Sequence, residues 1–228
     1  MYVAATATDS TVVSAFDATG QRIWSVVPGG QSFPGRTIAI DPGKTLYVAT
    51  YIQPSNNQLV NLVRGYSVSD GTMRSTAILP PSLPIQSLAA ADGLLFGTFF
   101  TDFGRDGGEG GFAIHPDTGA IEWTDGLFLL AVTPGVALTN NPRTGALVAH
   151  DPTTGATLWS TTQGGFAAAA TDQLLFFSDG TIRRLADGTV VGHVPSSDAD
   201  PVALVTPSNG RIYASLANRL STFTPTGP

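Results

Sequence analysis

The residues best suited to chemistry fall in two polar stretches, 52–61 (IQPSNNQLVN) and 101–110 (TDFGRDGGEG). In the second, Asp102, Asp106 and Glu109 stand among glycines and offer oxygen ligands on a flexible backbone, the donor type calcium takes. Their spacing departs from the twelve-residue calcium-loop consensus, and Arg105 between them would repel a cation. The competing reading is a solvated loop in which Arg105 pairs with its neighbours or receives an acidic ligand. In the first stretch, the amides Asn56, Asn57 and Gln58 follow Tyr51, while Phe99, Phe100 and Phe103 stand at the start of the second. Together these would line a groove for a peptide or a glycan. The plainer reading packs the rings beneath the loops, since apolar residues on strands are usually core.

The three histidines are weaker candidates. His115 and His150 sit at or beside the first position of a recurring turn, where a structural hydrogen-bonding role is the expected one. His193 follows Gly192 near the end of a late strand and is the candidate for a catalytic role. No nucleophile elbow of the Gly-x-Ser-x-Gly type occurs, and the glycine runs at 28–30 and 107–111 do not open helices, so a phosphate cradle is not supported. The chain has no Cys, which excludes disulfides, zinc–thiolate sites and thiol catalysis.

Charged residues make up only 12% of the chain, with 11 Lys and Arg against 17 Asp and Glu and a net charge of −6. That balance argues against nucleic acid or an anionic membrane surface as partner. No apolar run is long enough to span a bilayer, and no basic start followed by an apolar run marks a signal peptide.

The elements that must position these residues are announced by a repeat. FDATGQRIW (16–24), HPDTGAIEW (115–123) and HDPTTGATLW (150–159) each place a Trp four residues after a turn glycine: Gly20 to Trp24, Gly119 to Trp123, Gly155 to Trp159. Degenerate copies keep Gly71, Gly188 and Gly227. Successive turn glycines lie 33 to 51 residues apart, close to the period of one four-stranded propeller blade, about 40–50 residues. Asp or Thr before the glycine bonds to turn amides, and the glycine supplies a positive φ. The flanking segments alternate apolar and polar residues as strands do, and no stretch has helical period with caps.

A strand, an xxTG turn and a return strand ending in Trp resemble the PQQ-like β-propeller repeat. That repeat occurs in quinoprotein dehydrogenases and in the periplasmic outer-membrane-assembly lipoprotein, and the match covers nearly the whole chain. The implied fold is an all-β propeller in one domain, 1–228, with six blades of four antiparallel strands at about 1–30, 31–80, 81–126, 127–163, 164–197 and 198–228. The first blade lacks its innermost strand and the last its outermost. A segment upstream of Met1 would supply both, and the chain is then expected to be an exported bacterial protein, periplasmic or secreted, with its leader upstream. In propellers the connections between the second and third strands of a blade, and between blades, share the functional face. That places 52–61 and 101–110 on that face, and His193 near it. The PQQ cofactor is not expected: the dehydrogenases are longer, hold the quinone with residues unmatched here, and use a vicinal Cys pair. The expectation is a non-catalytic scaffold for a protein or glycan partner without a resident cofactor. A propeller lyase or hydrolase, or a piece of a larger exported protein, are the alternatives.

Overall fold

The structure, a computed structural model, describes residues 2–7, 10–30, 38–41, 44–52, 60–79, 85–100, 109–141, 144–162, 167–171, 173–177, 179–193, 202–208, 211–216 and 219–223. Among the described residues every regular element is a β-strand. The strands form six antiparallel sheets, each strand pairing with the next in the chain. The first holds β1 (Tyr2–Ala7), β2 (Ser10–Phe16) and β3 (Arg22–Val26). The second holds β4 (Ile38–Asp41), β5 (Thr45–Ile52), β6 (Val60–Ser67) and β7 (Met73–Leu79). The third holds β8 (Ile85–Ala91), β9 (Leu94–Phe100), β10 (Glu109–Ile114) and β11 (Ile121–Asp125). The fourth holds β12 (Phe128–Thr133), β13 (Val136–Asn140), β14 (Leu147–His150) and β15 (Thr157–Thr161). The fifth holds β16 (Ala167–Ala170), β17 (Leu174–Phe177), β18 (Thr181–Arg184) and β19 (Val190–His193), and the sixth β20 (Val202–Ser208), β21 (Arg211–Leu216) and β22 (Arg219–Phe223). Three strands are described in the first sheet and three in the last.

The chain divides into two compact units, Met1–Leu129 with Thr153–Gly155, and Leu130–Pro152 with Ala156–Pro228. In the first, Val13, Ala15, Trp24, Leu46, Val48 and Tyr66 pack the first sheet on the second. Tyr47, Ala49 and Val63 face the other way and meet Leu88, Leu95, Phe112 and Ile114 of the third. The alternation along β5 and β6 is the cause: period two sends neighbouring residues to opposite faces, and both faces are covered. In the second unit Leu138, Leu147 and Ala149 of the fourth sheet pack on Leu175 and Phe177 of the fifth.

The turns at Gly71, Gly119 and Gly188 share one construction, while the turn at Gly20 closes one residue tighter, with Asp17 N–H donating to Gln21 O. In the second sheet Ser67 N–H donates to Thr72 O at 2.8 Å and Gly71 N–H to Ser67 O at 2.9 Å. His115 with Gly119 and Ala120, and Arg184 with Gly188 and Thr189, repeat both bonds at 2.8–2.9 Å. One residue before each turn the register shifts, between Ala15 and Phe16, Gly65 and Tyr66, Ala113 and Ile114, Ala149 and His150, and Ile182 and Arg183. The bulge sets Trp24, Trp123 and Trp159 opposite Ala15, Ala113 and Ala149, small residues that leave room for an indole.

Each Trp then packs on a turn further along the chain. A Cβ at Gly71 would stand 2.9 Å from Trp24, one at Gly155 2.6 Å from Trp123, and one at Gly188 2.7 Å from Trp159. These glycines also have φ of +74°, +69° and +71°, so both conformation and space require them. The indole N–H seals two of the joints: Trp24 Nε1 donates to Val68 O at 3.1 Å, and Trp159 Nε1 to Leu185 O at 2.8 Å. Where the repeat has lost its Trp, Ser75 lies opposite Gly65 and Gly192 opposite Ile182.

Candidate functional site

The stretches 52–61 and 101–110 leave from one edge of the adjoining second and third sheets, where β5 ends and β6 begins, and where β9 ends and β10 begins. On that rim Tyr51 stands opposite Asn61 and Thr50 opposite Leu62. Asn61 is 2% exposed and Thr50 5%, while Tyr51 is half-buried. With Ala49 and Ile85 they line a depression of about 170 Å³, its open mouth included.

On the opposite face of the second sheet, Arg64 reaches the same rim. Its Nη1 donates to Gly29 O at 3.2 Å and to Thr50 Oγ1 at 3.1 Å. Gly29 and Gly30 have φ of +76° and +78°, and a Cβ on Gly30 would lie 2.5 Å from Tyr51 O. Only glycine permits that approach. The connection leaving β3 is thus laid over the end of β5 and tied there by the arginine.

Asn56, Asn57, Gln58, Asp102, Phe103, Arg105 and Asp106 lie outside the described residues. So does Gly227, as do the side chains of Phe100 and Glu109, whose backbones end β9 and begin β10. Of the four aromatic residues, Tyr51 lines the rim and Phe99 packs inward against the core, its ring centroid 6.3 Å from that of Phe112. The glycine run that ends at 111 supplies β10: a Cβ on Gly110 would collide with Asp125 O across the sheet. The need for glycine there is close strand packing, not an anion.

The histidines separate. His150 is buried, and its Nε2 lies 3.0 Å from Thr139 Oγ1 on β13, so it ties two strands together. His115 is exposed and pairs with Glu122 across the hairpin between β10 and β11. His193 is exposed at the end of β19, opposite Thr181, and no described side chain bonds to its ring. Among the described residues no group of three His, Asp or Glu side chains is placed to hold a metal ion.

Acidic groups of the first unit gather at the other edge, in the turns that hold Asp17, Asp41, Asp70, Asp92 and Asp117. Asp17 Oδ1 accepts the Thr19 hydroxyl at 2.7 Å and the Thr19 and Gln21 amides at 2.8 and 2.9 Å. Those bonds, the Thr19 hydroxyl foremost, hold its carboxyl below the ordinary value. Asp70 is lowered chiefly by the Thr72 amide, and Asp187, in the second unit, by the Thr189 amide.

Two features escaped the sequence reading. Arg64 sits in a strand 35 residues from the carbonyl it binds, with no local signal. The reversal Asn141–Gly145 between β13 and β14 has the same pair of bonds as the repeated turn, Asn141 N–H to Ala146 O and Gly145 N–H to Asn141 O, both at 2.8 Å. The run NPRTG at 141–145 was its available signature.

No protein-family model matches the chain, and no curated protein sequence does. Solved structures do match. BamB from Moraxella catarrhalis has a TM-score of 0.55 at 14% identity over 96% of this chain and 70% of its own. Hsv2p of Kluyveromyces lactis has a TM-score of 0.62 at 10% identity, over 98% and 70%. The dihydro-heme d1 dehydrogenase NirN, in complex with DHE, has a TM-score of 0.60 at 11% identity, over 95% of this chain; this chain spans only 49% of it. At such identities the likeness is one of fold. The fold is an all-β propeller, and the resemblance to the PQQ-like propellers drawn from the turn-and-Trp repeat holds at that level.

Proposed function

We propose that this chain is a non-catalytic binding scaffold, a propeller whose six sheets are six blades of one domain and whose loops at 52–61 and 101–110 take a protein or glycan partner. The observation that carries the reading is the common origin of both connections on one edge of two adjoining sheets. Their described rim is a shallow depression bearing amide, hydroxyl and phenol groups. Such a surface offers the half-buried Tyr51 and the polar connections beside it to something large, and no enclosure for something small. The reading leaves out a quinone, and the absence of a cation from this lining supports that choice. The reading includes no resident metal and an extracytoplasmic site of action.

Replacing 101–108 with a short Gly-Ser turn tests it. Capture of the partner, identified by cross-linking in the native host, is expected to fall at least about tenfold, as loss of a central contact would cause, with the melting temperature unchanged. Undiminished capture by a folded variant would refute the assignment.

A further inference from the structure

Where a Trp docks, the middle strand of its sheet carries Ala. Phe96, Ala113 and Trp123 stand side by side across the third sheet, and Leu138, Ala149 and Trp159 across the fourth. The second sheet departs from this. Its row reads Tyr47, Gly65 and Ser75, so the joint between the second and third sheets has no indole. Tyr47 is 8% exposed and belongs to the core that those two sheets share. Its ring leans across the middle strand: a Cβ on Gly65 would stand 3.1 Å from Tyr47 Cε1 and 2.5 Å from Ser75 Oγ. The Ala of the Trp rows would not fit there, and Gly65 has no positive φ, so space alone requires this glycine. Burial raises the pKa of the phenol, the Thr45 hydroxyl opposes that rise, and the charge of Asp117, in the turn of the third sheet, adds to it. The phenol thus stands within electrostatic reach of a turn whose counterparts meet an indole. That turn lies directly on β7: a Cβ on Gly119 would be 2.9 Å from Ile78 O and 3.1 Å from Leu79 Cδ2.

The stretches 52–61 and 101–110 leave from these same two sheets. We propose that Tyr47 is a positioning residue of the candidate site: its ring stands in for the missing indole, sets the angle between the second and third sheets, and so sets the separation of the two loops. The inference rests on the scaffold reading and names the residue that holds the two halves of the site in place. A hydrogen-bonded sheet moves as a plate, and a close-packed interior passes strain on instead of absorbing it. Taking the ring out leaves a void between two such plates, and any closure of that void changes their angle.

The chain has no Cys, so nitroxide labels go only to Ile78→Cys and Thr124→Cys, exposed positions on β7 and β11. Pulsed electron paramagnetic resonance reads the distance between them. A narrow distribution is expected with Tyr47 in place, and Tyr47→Phe should keep it. Tyr47→Leu, measured well below its melting temperature, should broaden or shift it. The same variant should capture the cross-linked partner at least about tenfold less well. The triple variant Tyr47→Leu, Gly65→Ala, Ser75→Trp rebuilds the fourth sheet's row in the second, and should regain both the narrow distance and the capture. Ser75→Trp alone should lower the melting temperature, because the phenol ring already fills the space. A folded Tyr47→Leu variant with unchanged distance would overturn the proposal. So would a folded triple variant with a distance broader than the parent's, or a Ser75→Trp variant as stable as the parent. If Tyr47→Leu does not fold, the last two variants decide the question. If the distance changes as expected while capture holds, this inference alone falls. If replacement of 101–108 leaves capture intact, the scaffold reading falls first and takes the positioning role with it, whatever the distances show.

Discussion

At Asp17, Asp70 and Asp187 one carboxylate oxygen accepts the amide of the residue two positions on, at 2.8, 2.9 and 3.0 Å. All three groups are held below their ordinary value of 3.8. A carboxyl depressed in the folded state stabilises it above the unfolded pKa, and that contribution fades as the pH falls through the folded value. The three turns therefore weaken only below about pH 4. Replacing all three with Asn keeps an oxygen acceptor but removes the titration. The variant's melting temperature is expected to fall less steeply than the parent's between about pH 4 and about pH 2.5; parallel curves would contradict the assignment. The turn glycines give a second residue-scale test. Gly20 has φ +85° with nothing within 4 Å of a built Cβ, whereas Gly155 has φ +69° and Trp123 at 2.6 Å. Gly20→Ala should cost only the left-handed backbone term, about 1–2 kcal/mol. Gly155→Ala should cost about 1–3 kcal/mol more for overpacking, as urea unfolding would show.

The hairpin with its bulge is the element on which the packing turns. Trp159 lies opposite Ala149, and its indole N–H bonds to Leu185 O at 2.8 Å. Trp159→Phe keeps an aromatic face but loses that bond and part of the ring, for an expected loss of about 1–3 kcal/mol; Trp159→Ala should lose about 3–5 kcal/mol. Equal losses in urea titrations would mean that the ring kept by Phe contributes nothing and that the indole N–H and the rest of the ring carry the whole effect. The hairpins were legible in the sequence because their determinants are local: alternation along two strands, a Thr or Asp, a glycine, and a Trp at fixed offset. What sits across from each Trp was not legible, since a bulge decides it and a bulge leaves no mark of its own in composition. The role of Arg64 was hidden for the same reason, because its partners at Gly29 and Thr50 come from other strands and connections.

For the molecule as a whole, charge is the most direct guide. The net charge is −6, and the described carboxylates of the first unit stand largely in the turns at one edge. A polyanion meets repulsion over that surface, so the protein is expected to pass unretained through heparin and double-stranded DNA columns at about 0.15 M salt. Retention there would argue for a different partner class. The all-β propeller was readable from the spacing of six glycines, because a repeat multiplies a weak signal. The candidate site was readable only as two polar stretches, because convergence of side chains is a property of the folded rim. One consequence of the Trp-to-turn packing concerns synthesis. Trp24 and Trp159 each dock on a reversal encoded downstream, at Gly71 and Gly188, so a sheet emerging from the ribosome carries an indole with nothing yet to cover it. At roughly 5–20 residues per second that exposure lasts for seconds per joint. At each of these two joints the sheet made later would therefore close over the one made before.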